Sequence, residues 1–249
     1  MQHSAFYDTD LAATHAAAYA DMAQQASVVL LDLLGRSGHH SGTVVDLGCG
    51  SGDLAHRVSE AGYDVLGVDL SAAMVELAKA RAPRARIVQG SVWDVEPPEA
   101  VAVTAIGEVC NYVTDLRAGP AQLQQLVSKV HARLAPGGVL LFDLATPGRA
   151  GPSGIREVVA DHADATVWMR ATESADHRSM QRRIVLFRRE GTCYRRSDET
   201  HQLHLYDTAE VTAALQAVGF EVSLIDGYGD LTFPEGLVGF QASRVAAGP

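Results

Sequence analysis

Basic residues are in short supply in this chain: 20 Lys and Arg stand against 30 Asp and Glu, a formal net charge of −10. Nucleic-acid affinity rests largely on Lys and Arg neutralising phosphates, so this balance argues against an RNA or DNA partner. Cysteine is scarcer still. The three present, Cys49, Cys110 and Cys193, lie far apart with no CxxC pair. That pattern suits reduced thiols better than a disulfide frame or a zinc site, and no metal is expected. No apolar run approaches the ~20 residues that span a bilayer, and the N-terminus lacks a basic segment leading into an apolar signal core. The expectation is a cytoplasmic protein with no membrane partner. Internal repeats and low-complexity tracts are missing as well.

What is present is a globular balance, 47% hydrophobic and 20% charged over 249 residues. That is enough for one α/β domain with a modest insertion. An Ala- and Gln-rich stretch from Asp10 to Leu34 contains no Pro or Gly and predicts a helical arm over residues 1–42. Short apolar runs then alternate with helical stretches. Thr43–Leu47, Val65–Val68, Ala85–Gln89, Val101–Ile106 and Val139–Asp143 read as strands, and Leu54–Ala61, Ala72–Arg81 and Gln122–Leu134 as helices. Continuous apolar strands alternating with helices indicate a mostly parallel sheet covered on both faces, here a core over residues 43–146.

After Pro147 the texture changes. Thr166–Glu173, Arg182–Arg188 and Cys193–Tyr206 are longer, polar and partly alternating, and predict antiparallel strands in an insertion over residues 147–206. Asp207–Ala217, closed by Gly219, reads as a capped helix. Glu221–Ile225 and Gly239–Arg244 would complete the sheet as a closing hairpin over residues 207–249, bringing it to seven strands in a single domain.

The strongest local signal is Asp46-Leu47-Gly48-Cys49-Gly50-Ser51-Gly52, set between a predicted strand and a predicted helix. Glycines there let the backbone turn tightly and approach a ligand, and the helix N-terminus beyond offers free N–H groups. The spacing is GxGxG rather than the GxGxxG of dinucleotide enzymes. Asp69 follows the second strand, 69 − 46 = 23 positions after Asp46. In nucleotide-binding α/β folds a carboxylate at about this separation accepts the ribose hydroxyls. The alternative reading of Asp69 is helix capping ahead of Ser71.

These motifs resemble motif I and its partners in class I S-adenosylmethionine-dependent methyltransferases, and in particular the small-molecule enzymes similar to glycine N-methyltransferase and the sugar amine methyltransferases. Ala105-Ile106-Gly107-Glu108-Val109-Cys110-Asn111-Tyr112 and Leu134-Ala135-Pro136-Gly137-Gly138-Val139 look like the fourth and fifth motif regions of that family. The resemblance runs firmly from Thr43 to Asp143. It implies a Rossmann-like sheet, with the arm and the antiparallel insertion covering the active site.

It further implies S-adenosyl-L-methionine as cofactor, S-adenosyl-L-homocysteine as product, and a small-molecule methyl acceptor. For cofactor binding it points to Asp46, Gly48, Cys49, Gly50, Gly52, Asp69, Leu70, Ile106 and Gly107. It adds an adenine-side turn at Ser91, Val92 and Trp93, with Asp94 in reach, and Tyr7 and Tyr19 over the methionine carboxylate. Ser91 departs from the acidic residue often found at its position. Trp93 also reads as a core aromatic, and the two tyrosines also read as packing residues. On the acceptor side the resemblance places Glu108 and Tyr112, where Glu108 would stabilise the charge of a methylated amine.

His201 is a candidate base, since strand alternation sets it with Leu203 and Leu205 on one face and Gln202, His204 and Tyr206 on the other. A polar surface histidine is its competing reading. Trp168, Met169, Tyr194 and Tyr206 are candidates for an apolar acceptor wall. Three other readings stay open: a non-methylating relative such as a cyclase, a binding protein that keeps the nucleoside pocket, and a nicotinamide-dependent oxidoreductase. A homodimer stays open as the assembly.

Overall fold

The computed structural model describes residues 7–18, 20–113 and 117–245. Its central sheet is built from β1 (Thr43–Leu47), β2 (Asp64–Asp69), β3 (Arg86–Gln89), β4 (Ala100–Ala105) and β5 (Leu134–Ala145), joined late in the chain by two further strands. Before it come α1 (Thr9–Ala18) and α2 (Ala20–Arg36), and within it α3 (Asp53–Glu60), α4 (Ala72–Arg81) and α5 (Pro120–Arg133). The insertion is a four-stranded antiparallel sheet of β6 (Ile155–Asp161), β7 (Ala165–Glu173), β8 (Ser179–Glu190) and β9 (Cys193–His204). Then follow α6 (Thr208–Val218), β10 (Phe220–Ile225), the small hairpin β11 (Gly227–Tyr228) and β12 (Leu231–Thr232), and β13 (Leu237–Arg244).

The central sheet runs β10-β13-β5-β4-β1-β2-β3, and β13, antiparallel to both of its neighbours, is the reversed strand. Successive strand residues feed opposite faces. Val44, Ala102, Val139 and Leu141 pack with α2, α3 and α4, whereas Val45, Val103, Leu140 and Phe142 pack with α5 and α6. Both faces being dry is why β1 and β4 read as unbroken apolar runs. A third cluster, with Tyr112, Ala145, Met180, Leu203 and Leu205, fastens the insertion to the end of β5.

Two elements depart from the expectations. β5 starts at Leu134 and carries Pro136-Gly137-Gly138 inside it, absorbed where the β4–β5 register slips between Ala100 and Ala102, which is how a strand admits an extra residue. β6 was not anticipated from Ile155-Arg-Glu-Val-Val-Ala-Asp161, because it is an edge strand with most of its residues exposed, so no buried face imposes a pattern.

The helix at α6 forms where its cap says it should. The Asp207 carboxylate accepts from Ala209 N and Glu210 N, both at 2.9 Å, and Gly219 closes the other end at φ 108°. Asp207→Ala is expected to cost about 1 kcal/mol of stability, read from the midpoint of urea unfolding; an unchanged midpoint would contradict the capping role.

Candidate active site

The glycine turn between β1 and α3 is held from two sides. Cys49 N donates to Val68 O at 3.0 Å, and Gly50 N donates to Asp69 Oδ2 at 2.9 Å. Gly48 sits at φ 67°, and a Cβ there would lie 2.5 Å from a methyl of Val109. Gly52 starts α3 at φ 83°, and a Cβ on it would meet the Ala78 backbone at 2.9 Å. Gly52 is therefore needed for helix packing.

A cavity of about 580 Å³ opens beside this turn, within the range of small-molecule sites. It is lined by Tyr7, Asp46, Gly48, Cys49, Gly50, Ile106, Gly107, Glu108 and Tyr112 of the residues expected from sequence. Ser51, Asp53, His15, Arg149 and Arg182 line it too, and sequence reasoning did not find them. Gly52, Asp69, Leu70, Ser91, Val92, Trp93 and His201 lie outside the lining, and Tyr19 lies outside the described residues.

The reasons differ. Trp93 is a core side chain, packed with Val45, Ala105 and Leu126. Ser91 starts the short turn Val92–Asp94 by accepting from Trp93 N. Asp94 points outward into a two-pronged ion pair with Arg117, at 2.6 and 2.8 Å. Asp69 is buried and accepts from Ser71 N at 2.8 Å as well as from Gly50 N. The capping itself belongs to Ser71, whose hydroxyl accepts from Met74 N.

Of the proposed apolar wall only Met169 reaches the cavity. Tyr206 is sunk in the main core, its hydroxyl accepting from Gly119 N and donating to Cys110 O. Tyr194 is exposed, and Trp168 lies under Arg183 on the outer face of the insertion. His201 faces inward with Leu203 and Leu205, as alternation requires. It is buried against Glu199 (2.9 Å) and in ring contact with Tyr7 and Tyr112, so it braces those two tyrosines instead of facing the cavity.

Two carboxylates define the electrostatics. Asp46 Oδ1 accepts from Thr104 Oγ1 at 2.8 Å, while Oδ2 is buried with no hydrogen-bond partner among the described residues. Burial, with the Asp69 charge nearby, pushes its pKa up to about 7 against the Thr104 bond. A buried acceptor left in this state calls for a cationic or N–H partner.

Glu108 stands at φ 61°, an uncommon backbone state for a non-glycine residue that is found at functional sites. Asp143, at the end of β5, enforces it by accepting from Gly107 N (2.8 Å) and Glu108 N (2.6 Å), and it also takes a bond from Tyr228. Held so, Glu108 receives Arg149 Nε at 2.5 Å on one oxygen and Arg182 Nη2 at 2.8 Å on the other. Burial alone would raise its pKa, but the two guanidiniums overcome this and hold it at about 2. Its charge is thus already more than balanced. Arg182 also donates to Tyr112 Oη at 3.1 Å, and Tyr112 Oη lies 3.2 Å from Tyr7 Oη.

Tyr7 closes the site. Its backbone N donates to Glu199 Oε2 at 2.8 Å, and its carbonyl accepts from Ser71 Oγ at 2.8 Å, which ties the arm to both the insertion and the end of β2.

A glycine turn with nearby carboxylates, at the carboxyl ends of parallel strands, is the arrangement by which open α/β sheets bind nucleosides. Residues 44–138 match the family model described as a methyltransferase domain. Over that stretch the chain is similar to methyltransferase domains, and its fold is that of solved S-adenosylmethionine-dependent methyltransferases. A solved S-adenosylmethionine-dependent methyltransferase from Clostridium acetobutylicum superposes with a TM-score of 0.80 at 17% identity, over 95% of this chain and 98% of that one. The dTDP-4-amino-2,3,4,6-tetradeoxy-D-glucose N,N-dimethyltransferase of Saccharopolyspora spinosa is 26% identical over 90% of this chain and 88% of its own length. A trans-aconitate 2-methyltransferase of Paracidovorax citrulli is 37% identical over 47% of this chain and 44% of its own.

Proposed function

We propose that this protein transfers the methyl group of S-adenosylmethionine to an N or O atom of a small molecule. The observation that carries the reading is one cavity lined both by the glycine turn, with Asp46 and its orphaned oxygen, and by apolar side chains of the insertion. The bound cofactor supplies a methyl already activated on sulfonium. The protein has to align the acceptor with it and exclude water, and positioning of this kind is worth roughly 7–11 kcal/mol.

Asp46 Oδ2 suits the cofactor's ammonium, the Ile106 carbonyl region continues that edge, and the backbone of Gly48–Gly50 leaves room for its body. Asp69 acts on this end by locking Gly50, and it retains lone pairs for ribose hydroxyls. On the acceptor side, burial raises the pKa of both Tyr7 and Tyr112, so their hydroxyls stay protonated and orient the acceptor rather than take its proton. His15 lines the cavity, and burial and the Arg182 charge push its pKa down to about 4, which leaves it neutral at physiological pH.

The test is calorimetric titration with S-adenosylmethionine and S-adenosylhomocysteine beside NADH and NADPH. Micromolar binding of the methionine nucleosides is expected, weakened by about tenfold or more in Asp69→Ala because Gly50 N and Ser71 N lose a charge-assisted partner. Binding of a nicotinamide cofactor in their place would refute the proposal.

A further inference from the structure

Three arginines, Arg149, Arg156 and Arg182, line the cavity, and the first and last of them both pair with Glu108. In a chain of net charge −10, this group carries more positive charge than Glu108 neutralises, beside low-dielectric walls where fields act most strongly.

The guanidiniums are not used up by Glu108. Among the described residues, Arg149 spends its Nε on Glu108 Oε1, and Arg182 spends one N–H on Glu108 and one on Tyr112. The Nε of Arg182 is buried with no hydrogen-bond acceptor among them. A guanidinium presents five donors in a planar fork that matches a carboxylate, and a buried donor without an acceptor is costly. Around these groups the insertion contributes Val158, Val167, Met169, Met180 and Ile184, an apolar surface suited to a hydrocarbon body.

We infer that the methyl acceptor is an amphipathic acid. Its carboxylate binds Arg182 and Arg149, its apolar body lies on β6–β8, and Arg156, exposed on β6, meets any further negative charge on the acceptor. The inference rests on the methyl-transfer reading and adds the acceptor's chemical class to it. It also reverses the preference for an amine drawn from Glu108 by itself, because the carboxylate meant to stabilise an ammonium already serves two arginines.

The experiment uses the full-length protein saturated with S-adenosylhomocysteine and titrated with three probes of equal chain length: hexanoate, hexylamine and hexanol. Hexanoate is expected to bind most tightly. In Arg182→Gln its affinity should fall about 10- to 100-fold, the effect of losing charge-assisted hydrogen bonds, with hexanol binding and S-adenosylhomocysteine affinity unchanged. Arg156→Gln, at an exposed position that leaves the folded core intact, should weaken hexanoate by a few-fold and leave hexanol unchanged.

Hexylamine or hexanol binding as well as hexanoate overturns the inference, as does full retention of hexanoate binding in Arg182→Gln. Loss of S-adenosylhomocysteine affinity in a folded Arg182→Gln protein assigns that guanidinium to the cofactor's own carboxylate and also overturns it. Failure of the wild-type protein to bind S-adenosylhomocysteine at all brings down the methyl-transfer reading first, and the two failures are told apart at that step.

Discussion

Glu108→Ala is expected to lower the unfolding free energy by about 3–5 kcal/mol, because it strands two largely buried guanidiniums without their counter-charge. The Arg149 and Arg182 side chains retain only 16% and 13% of their exposure, and Glu108 7%, so solvent cannot replace what the carboxylate supplies. For a chain of this length the loss corresponds to a fall in Tm of roughly 10 °C. Thermal unfolding at pH 7.5 measures it, and a shift under about 2 °C would show that water or a rearranged side chain neutralises the arginines.

A double variant, Glu108→Leu with Arg182→Met, should recover part of the stability, since an apolar replacement of a buried pair is often neutral while removal of one partner is not. The pH dependence has a definite sign. The folded pKa of Glu108 lies below its unfolded value, so its contribution is present above about 4.5 and is lost as pH falls towards about 2. The acid limb of the stability curve should therefore be shallower in the double variant.

Asp46→Asn is expected to weaken S-adenosylmethionine binding about 100-fold at pH 8, the scale of a charged hydrogen bond made in a buried site. The wild-type affinity should rise with pH up to about 7 and then level off. The free protein holds the Asp46 proton up to that pH, and an ammonium beside Oδ2 favours the ionised form, so binding below pH 7 releases a proton and gains at most about tenfold per unit. The same raised pKa works against folding. Between the unfolded value and about 7 the folded state holds the extra proton, so stability of the free protein declines as pH rises through that window, and Asp46→Asn should remove the decline. Calorimetry from pH 5.5 to 8.5 decides it: a flat profile in the wild-type protein would separate Asp46 from the cofactor's ammonium.

Much of the frame was legible from the chain alone. β1 and β4 stood out because both faces of the central sheet are covered there, so these inner strands had to be almost wholly apolar. The 23-residue step from Asp46 to Asp69 reflects a βαβ unit of ordinary size, which is why a local pattern reported a tertiary arrangement. Alternation along β9 placed His201 correctly with Leu203 and Leu205, yet parity alone could not tell a cavity from the back of a tyrosine pair. Trp93 and Tyr206 misled for a related reason: an aromatic side chain serves a core and a pocket equally well, and which it joins depends on the neighbouring layer.

By itself, the sequence determined the doubly covered sheet, the glycine turn with its two acidic partners, and the position of Glu108 and Tyr112 beyond β4, because each is written in contiguous residues whose spacing obeys helix, strand or turn geometry. The tertiary structure alone decided what Glu108 does. Its arginines lie 41 and 74 positions away in the chain, on a loop after β5 and on a strand of the insertion. The backbone turn that aims it is imposed by Asp143 from a neighbouring strand. Charges so distant in sequence carry no periodicity to read; only the packing of the insertion over the sheet, with water excluded between them, brings them within a few ångströms and sets their pKa values.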